Sequence, residues 1–446
     1  MFNKIKEFTG SLFFHRRFYL IWAALTLLIF LGYWQALFFV TGKYLFMIFI
    51  LLTVFDFTYL FLGGQLRARR ILPEKLSNGD ENIIKIDLKS TYTLPLSLKI
   101  IDELPVQFQK RDFELHLTMQ PQETRLQKYS LRPVKRGVYE FGFLNIFLYS
   151  PLKLAGLRRR YDTGKQVKVY PSFVQMRKYE LMAFSTKVKF GIKKIRRLGH
   201  TMEFEQIKVY NKGDDYRTIN WKATAKHQKL MVNQYQDEKS QNIYSLIDMG
   251  RTMALPFDAM TLLDYAINAT LSFSNIAIKK KDKAGLLTFE KEIKTFLKPD
   301  ANRGHLQSIF ESLYAQQTGF FETDYERLYR YIRQHIPTRS LLMLYTNFEH
   351  INALKRQLPY LKKIAKKHLL VVIIFKNTEL AELINQPPAD AKQLYHKIVA
   401  EDFDWQKQKM VKELRLHNIH TVLTPPKHLT GAVINKYLHL KARGLI

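Results

Sequence analysis

The chain has 446 residues, with 70 Lys and Arg against 39 Asp and Glu, for a formal net charge of +31. Its 47% hydrophobic and 24% charged residues exclude a disordered or low-complexity protein, and at roughly 100–200 residues per domain the length calls for two or three domains. It has no cysteine, which excludes disulfide scaffolds, thiolate zinc sites, iron–sulfur clusters and thiol catalysis, and agrees with a reducing compartment. The basic excess calls for an acidic counterpart: nucleic acid, an anionic membrane or an acidic protein.

From Phe18 to Leu62 the sequence is overwhelmingly apolar, with Lys43 and Asp56 the charged exceptions. That is too long for one membrane span and suits two of roughly 20 residues. The spans are expected near Phe18–Leu37 and Tyr44–Leu62, turning at Val40–Lys43. Lys4, Lys6, Arg16 and Arg17 precede the pair, and Arg67, Arg69, Arg70 and Lys75 follow it. The positive-inside rule then places both ends, and everything after Leu62, in the cytoplasm. Asp56 falls inside the second span, where an ionised carboxylate is costly. It is either an interhelical or subunit contact or, more plainly, a neutral or paired group near the cytoplasmic end.

From about Asp80 to Pro171 the period changes to two. Ile84, Ile86 and Leu88 alternate, as do Leu96, Leu98 and Ile100, then Phe113, Leu115 and Leu117, and after Gly137 Tyr139, Phe141 and Phe143. Short alternating segments at this spacing argue for an antiparallel sandwich of immunoglobulin size. Between Arg158 and His200 lie thirteen Lys and Arg against Asp162 and Glu180. No groove-reading helix or base-stacking module accompanies this segment, so anionic headgroups or an acidic protein explain it more simply than specific nucleic acid.

The most informative stretch runs from Gly199 to Met253. Gly213-Asp214 is a turn signal, and Asp214 or Asp215 is expected to cap a helix beginning near Tyr216. Trp221 and Ile219 are expected to bury against a sheet while Arg217 and Lys222 face carboxylates. Paired acids near His227 suit acid–base chemistry, but no nucleophile stands in a fixed relation to them. A capped helix held by ion pairs and one Trp is the plainer reading. Next comes the strand Asn242–Asp248, apolar until its final aspartate. Beyond it, strand-like runs at Ala284–Thr288, Leu341–Thr346, Leu369–Phe375 and His420–Thr424 alternate with helix-like ones at Phe257–Lys280, His305–Gln316, Tyr325–His335, Ala353–Lys367 and Ala389–Leu414. This alternation implies a doubly wound α/β sheet with ligands at the carboxyl ends of its strands, where Asp248 and Asn347 lie.

The run Gly-Asp-Asp-x-Arg-x-Ile-x-Trp-Lys-x-x-Ala from Gly213 to Ala225, followed by the strand ending in Asp248, resembles the bacterial domain-of-unknown-function family number fifty-eight. Members of that family are commonly encoded beside MoxR-type AAA+ ATPases. The resemblance implies a multidomain chain: a two-helix transmembrane hairpin (1–66), an all-β immunoglobulin-like sandwich (67–178), a basic linker and signature loop (179–240) and a von Willebrand factor A-like domain (241–446). Type A domains hold a divalent cation with an Asp-x-Ser-x-Ser loop, a second-loop Thr and often a third-loop Asp. Carried over, Asp248 matches the first Asp, Gly250 replaces the first Ser, Thr252 matches the second, Thr323 is the second-loop Thr and Asn347 replaces the third-loop Asp. Fewer negative ligands should weaken Mg2+ or Mn2+ there; the alternative is a loop kept for its fold, with Asp248 bonded to backbone N–H groups.

The expected function is that of a non-enzymatic adaptor in the bacterial inner membrane, multi-pass, with its soluble domains in the cytoplasm. Its partners would be the bilayer and a MoxR-type ATPase, met through the type A domain and the Gly213, Asp214, Asp215, Arg217, Trp221 and Lys222 signature. The alternatives are a membrane-tethered nucleic-acid binder and a hydrolase built on Asp214, Asp215 and His227.

Overall fold

A computed structural model describes residues 12–184, 203–211, 214, 216–236, 240–378, 380, 384, 387–388 and 390–446. The chain divides into two compact units between Tyr170 and Pro171.

In the first unit a short strand, β1 (Leu12–Phe14), leads into helices α1 (Arg16–Leu31) and α2 (Ala36–Leu62). The helices are joined at 32–35, rather than at the expected Val40–Lys43. Gly32 ends α1, its N–H returning to the Ile29 carbonyl. Gly42 instead lies inside α2 against α1, where a Cβ would stand 2.8 Å from Ile29 Cγ1. The glycine that reads as a turn is a close-approach position between two helices. The Thr41 hydroxyl donates to the Leu37 carbonyl at 2.9 Å, which satisfies it within its own helix. Among the described residues, α2 is the helix long and apolar enough to cross a membrane. The 16 residues of α1 reach about 24 Å, short of a ~30 Å hydrocarbon core.

Ten strands follow: β2 (Leu66–Ile71), β3 (Lys75–Ser77), β4 (Asn82–Ser90), β5 (Leu96–Asp102), β6 (Glu114–Met119), β7 (Thr124–Leu131), β8 (Gly137–Phe141), β9 (Leu144–Tyr149), β10 (Ala155–Tyr161) and β11 (Lys165–Tyr170). Their sheets run β1-β10-β9-β5-β6, β2-β4-β7 and β3-β11-β8. The period-two pattern sets the faces: Ile84, Ile86 and Leu88 point into a core shared with Leu98, Ile100 and Ile146, while Ile83, Lys85 and Lys89 are exposed.

Leu60 of α2 belongs to that same core, so the helix ends inside the sandwich. The Tyr92 hydroxyl donates to the Leu60 carbonyl at 2.6 Å, and the Leu94 N–H donates to the Tyr59 hydroxyl at 2.7 Å. Asp56 is neither orphaned nor an interhelical contact. Its Oδ2 accepts the N–H groups of Leu154 (3.0 Å) and Ala155 (2.9 Å) at the start of β10, which makes it a backbone-paired carboxylate. With the last two turns docked in this way, about 20 residues of α2, from Ala36 to Phe55, remain for a hydrocarbon layer.

The sandwich also encloses an ion pair. The Arg70 and Asp102 side chains are fully buried and paired, and the Tyr129 hydroxyl donates to the same carboxylate. Arg70 Nη2 donates to the carbonyls of Gly142 and Thr163, both at 2.8 Å. Burial pushes the Asp102 carboxyl up, and the Arg70 guanidinium pulls against it.

The second unit begins earlier than residue 179. Helix α3 (Phe173–Phe184) packs on the later helix Leu262–Lys279. The Ser172 N–H donates to Asn268 Oδ1 at 2.8 Å, and Glu180 accepts from Asn275 and pairs with Lys279. Residues 185–202, with the last six basic residues of the charged segment, lie outside the described residues. Of the described ones, Arg158 bonds Asn145 Oδ1 and Arg160 stacks over the Phe143 ring at 3.5 Å, both on the sandwich.

A two-stranded hairpin, β12 (Glu203–Val209) with β13 (Met231–Gln236), encloses helix α4 (Trp221–His227). The main sheet contains β14 (Asn242–Asp248), β17 (Lys283–Phe289), β18 (Ile293–Asp300), β19 (Leu341–Tyr345), β20 (Leu369–Phe375) and β21 (His420–Thr424) in the order β18-β17-β14-β19-β20-β21. All neighbours pair in parallel except β17 and β18. A small ribbon, β15 (Pro256–Phe257) with β16 (Met260–Thr261), follows β14. Helices α5 (Leu262–Lys279), α6 (Arg303–Tyr314) and α10 (Leu429–Ala442) pack together, and α7 (Tyr325–His335), α8 (Ile351–Lys367) and α9 (Ala391–Leu416) form the other group. Fifteen of the eighteen α5 residues are buried, after a Thr261–Asp264 capping box. The edge strand β18 and helix α10 are additions to the expected elements. Strands β14, β17, β19, β20 and β21 stand within one or two residues of expectation.

His368, between α8 and β20, is 4% exposed, and neither ring nitrogen has a hydrogen-bond partner among the described residues. Burial drives its pKa from the ordinary 6.5 down to about 4. Between those values the unfolded chain binds a proton that the folded chain refuses, so stability falls as pH drops through this window. His368→Leu is expected to remove about 1–2 kcal/mol of that acid loss, read as the difference between denaturation midpoints at pH 7 and pH 4.5.

Candidate functional site

Strand β14 is buried from Ile243 to Asp248 because it lies centrally in the sheet, and it delivers Asp248 to the carboxyl end. The carboxylate is 2% exposed and surrounded by neutral donors. Oδ1 accepts the Gly250 N–H at 2.8 Å and the Thr323 hydroxyl at 2.6 Å. Oδ2 accepts the Thr346 hydroxyl at 2.7 Å and the Tyr325 hydroxyl at 3.1 Å. The Tyr325 and Thr346 oxygens also stand 2.7 Å apart, so one of these hydroxyls shares its single proton between its neighbour and the carboxylate. Burial pushes the Asp248 carboxyl up; the donors, Thr323 first, hold it down.

These residues do not fit a divalent cation. A Cβ at Gly250 would stand 2.1 Å from Thr323 Oγ1, so the serine of the type A pattern would push the Thr323 hydroxyl out of its bond to Asp248. Thr252 sits in a short 3-10 turn (Arg251–Ala254), with no bond to Asp248 among the described residues. Asn347 Oδ1 faces a cation already, accepting from Lys407 Nζ at 2.7 Å. Among the described residues no group of three or more His, Asp or Glu is placed to hold a metal. The structure thus brings Asp248 and Thr323 together as a hydrogen-bonded pair and leaves Thr252 outside.

The loop carrying Thr323 is held from a second side. Glu290, at the end of β17, accepts the N–H groups of Gly319 (2.9 Å) and Phe321 (3.2 Å) on Oε1, and its carbonyl accepts from Asp324. The Thr318 hydroxyl donates to the Met249 carbonyl at 2.8 Å. Between these anchors Phe320, at a φ of 61°, and Phe321 are exposed by 66% and 55%. The sequence reading passed over them. Their signal is an apolar pair after a glycine that belongs to neither a helical nor a strand period.

The signature run departs from expectation. Gly213 and Asp215 lie outside the described residues. Asp214 does not cap a helix: it accepts the Asn211 N–H at 3.0 Å and pairs with Lys208 at 2.9 Å, closing a turn. Asn220 caps α4 instead, accepting the Ala223 N–H at 3.0 Å. Trp221 is 70% exposed rather than buried: it opens the short helix α4 of a two-stranded hairpin, and no second layer covers it among the described residues. Ile219 bridges to Val232 and is half-buried. Arg217 lies over the Tyr216 ring at 5.7 Å, and Tyr216 and Lys222 are exposed.

Among curated proteins, the uncharacterised protein YeaD of Bacillus subtilis is 22% identical over 243 residues, covering 51% of this chain and 57% of that one. The chain thus spans little more than half the length of the relative it matches. Of solved structures, the conserved hypothetical protein BatB from Bacteroides thetaiotaomicron is similar over 46% of this chain and 100% of that chain, at 13% identity and a TM-score of 0.30. A CARDB domain from Pyrococcus furiosus covers 24% of this chain and 93% of its own, at 11% identity and a TM-score of 0.17. A family model described as "Protein of unknown function DUF58" matches residues 206–386, a span holding the Gly213–Ala225 run, β14 with Asp248, and the Phe320–Thr323 loop. Over that segment, which is less than half of its length, the chain matches the DUF58 family.

Proposed function

We propose that this chain is a non-enzymatic, membrane-anchored adaptor whose α/β unit, read as von Willebrand factor A-like, binds protein partners. Helices α1 and α2 form its hairpin anchor, the shorter α1 crossing where the bilayer thins to meet it, with both ends facing the cytoplasm of a bacterium, in keeping with the basic residues on either flank. The partner is a MoxR-type AAA+ ATPase, and the process served is the assembly or maturation of protein complexes; both come from the family resemblance.

The observation that carries the reading is the pair Phe320 and Phe321, more than half exposed on a loop tied by the buried carboxylates of Asp248 and Glu290. Rigid exposed aromatics lose little entropy on docking and are typical interface anchors. Nearby Asp248 is consumed by internal donors, which favours a binding surface over a metal-dependent reaction. The hydrolase alternative loses support because Asp214 is committed to Lys208 and the Asn211 backbone.

The test is co-purification of the detergent-solubilised full chain with the MoxR-type ATPase of the same organism. Replacing Phe320 and Phe321 by serine is expected to weaken capture at least tenfold, as loss of an interface anchor does, with an unchanged melting temperature. Undiminished capture by the double variant removes the loop from the interface, and no capture by the wild type removes the partner.

A further inference from the structure

Beside the Asp248 loop, the carboxyl ends of β19, β20 and β21 enclose a cavity of about 270 Å³, the position where open α/β sheets take their ligands. One side of it is apolar, formed by Leu255, Phe257, Leu262, Phe375 and Phe403, and the rest is polar, with Lys407 beside Asn347. Two of the three N–H bonds of the Lys407 ammonium go to neutral acceptors, Asn347 Oδ1 and the Phe348 carbonyl. No carboxylate stands within ion-pair distance of it among the described residues. Two acids line the cavity: Asp404 is already paired with Lys376 at 2.9 Å, and Glu349, exposed, attracts the Lys407 ammonium without reaching ion-pair distance.

A cation whose nearest free carboxylate is solvent-exposed and beyond ion-pair distance sits at a cost in an apolar, partly enclosed space, and an anion that reaches it directly offsets that cost. The geometry points to a binding site for a small organic acid, an apolar body with one carboxylate that pairs with Lys407. The third N–H of the ammonium supplies a charge-assisted bond, and the aromatic walls take the body. The volume lies just below the usual range for ligand pockets, about 300–1,000 Å³, which favours a free acid of phenylpropanoate size over a longer chain. This site is independent of the adaptor reading: it uses none of the Phe320–Phe321 surface.

The test uses the full chain in a nonionic detergent with three probes: 3-phenylpropanoate, its uncharged amide, and a pentapeptide ending in phenylalanine with a free carboxylate. Binding is followed by calorimetry and by the rate at which Lys407 is acetylated, read from its peptide by mass spectrometry. The acid is expected to bind at least tenfold more tightly than the amide and to slow acetylation of Lys407. Lys407→Met is expected to erase that preference while leaving the weak binding of the amide. Equal binding of acid and amide, no protection of Lys407 by either, or an undiminished preference in Lys407→Met overturns the site. Tighter binding of the pentapeptide than of the free acid overturns the small-acid assignment in favour of a protein terminus.

Discussion

Asp248→Ala is expected to destabilise the unit formed by Pro171–Ile446 by about 2–5 kcal/mol, measured by urea denaturation of the full chain in detergent. Removing the carboxylate strands the Gly250 N–H and the Thr323 hydroxyl, and each buried unsatisfied donor costs about 1–3 kcal/mol. Thr346 and Tyr325 suffer less, because they already bond each other. Asp248→Asn should cost far less, about 1 kcal/mol. The amide keeps one acceptor, hydroxyls on the other side can turn to accept its N–H, and the desolvated charge disappears. A large gap between the alanine and asparagine variants therefore marks a structural carboxylate. A metal ligand would lose its ion in both.

The second large effect belongs to the sandwich. Asp102→Ala leaves the Arg70 guanidinium buried without its counter-charge, and Arg70→Ala does the reverse to Asp102. Either is expected to cost about 3–5 kcal/mol, the usual price of breaking a buried pair. Replacing both together with Met and Leu should cost much less than the sum of the single changes, because no charge is then left unpaired. Tyr129→Phe removes one donor to the Asp102 carboxylate and should cost about 1 kcal/mol. A double-mutant cycle in denaturant reads the coupling directly; additive single effects would show that the two side chains do not depend on one another.

The parts of this fold that were legible in the sequence are those governed by local period. Alternation at Ile84, Ile86 and Leu88 marked β4, unbroken apolar runs marked β19 and β20, and a run broken only by Ser245 marked β14, because burial on one face or on both writes itself into neighbouring residues. What was not legible depends on partners far along the chain. Gly42 carries the composition of a turn, and only the neighbouring Ile29 reveals it as a helix contact. Asp56 reads as a membrane carboxylate until Leu154 and Ala155, about a hundred residues on, supply its donors. Trp221 reads as core because tryptophans usually are, whereas among the described residues the hairpin around it has no layer to cover it.

The candidate site divides in the same way. Asp248 and Thr323 were visible as a pattern, and they do meet. The reason that a serine cannot stand beside them, the collision between a side chain at Gly250 and the Thr323 hydroxyl, lies in three-dimensional spacing. Lys407, sixty residues beyond Asn347, carries no motif at all. Its place is set by α9 passing over the end of β19, a relation that no spacing rule encodes.

The central claim is that Asp248 holds the Phe320–Thr323 loop through protein donors alone. The most direct measurement is the melting temperature of the full chain in chelator and in millimolar Mg2+ or Mn2+, with Asp248→Asn alongside. Superimposable curves are expected for the wild type in all three conditions, and the same indifference in the variant. A rise in melting temperature with either ion that is present in the wild type and absent in Asp248→Asn would contradict the claim.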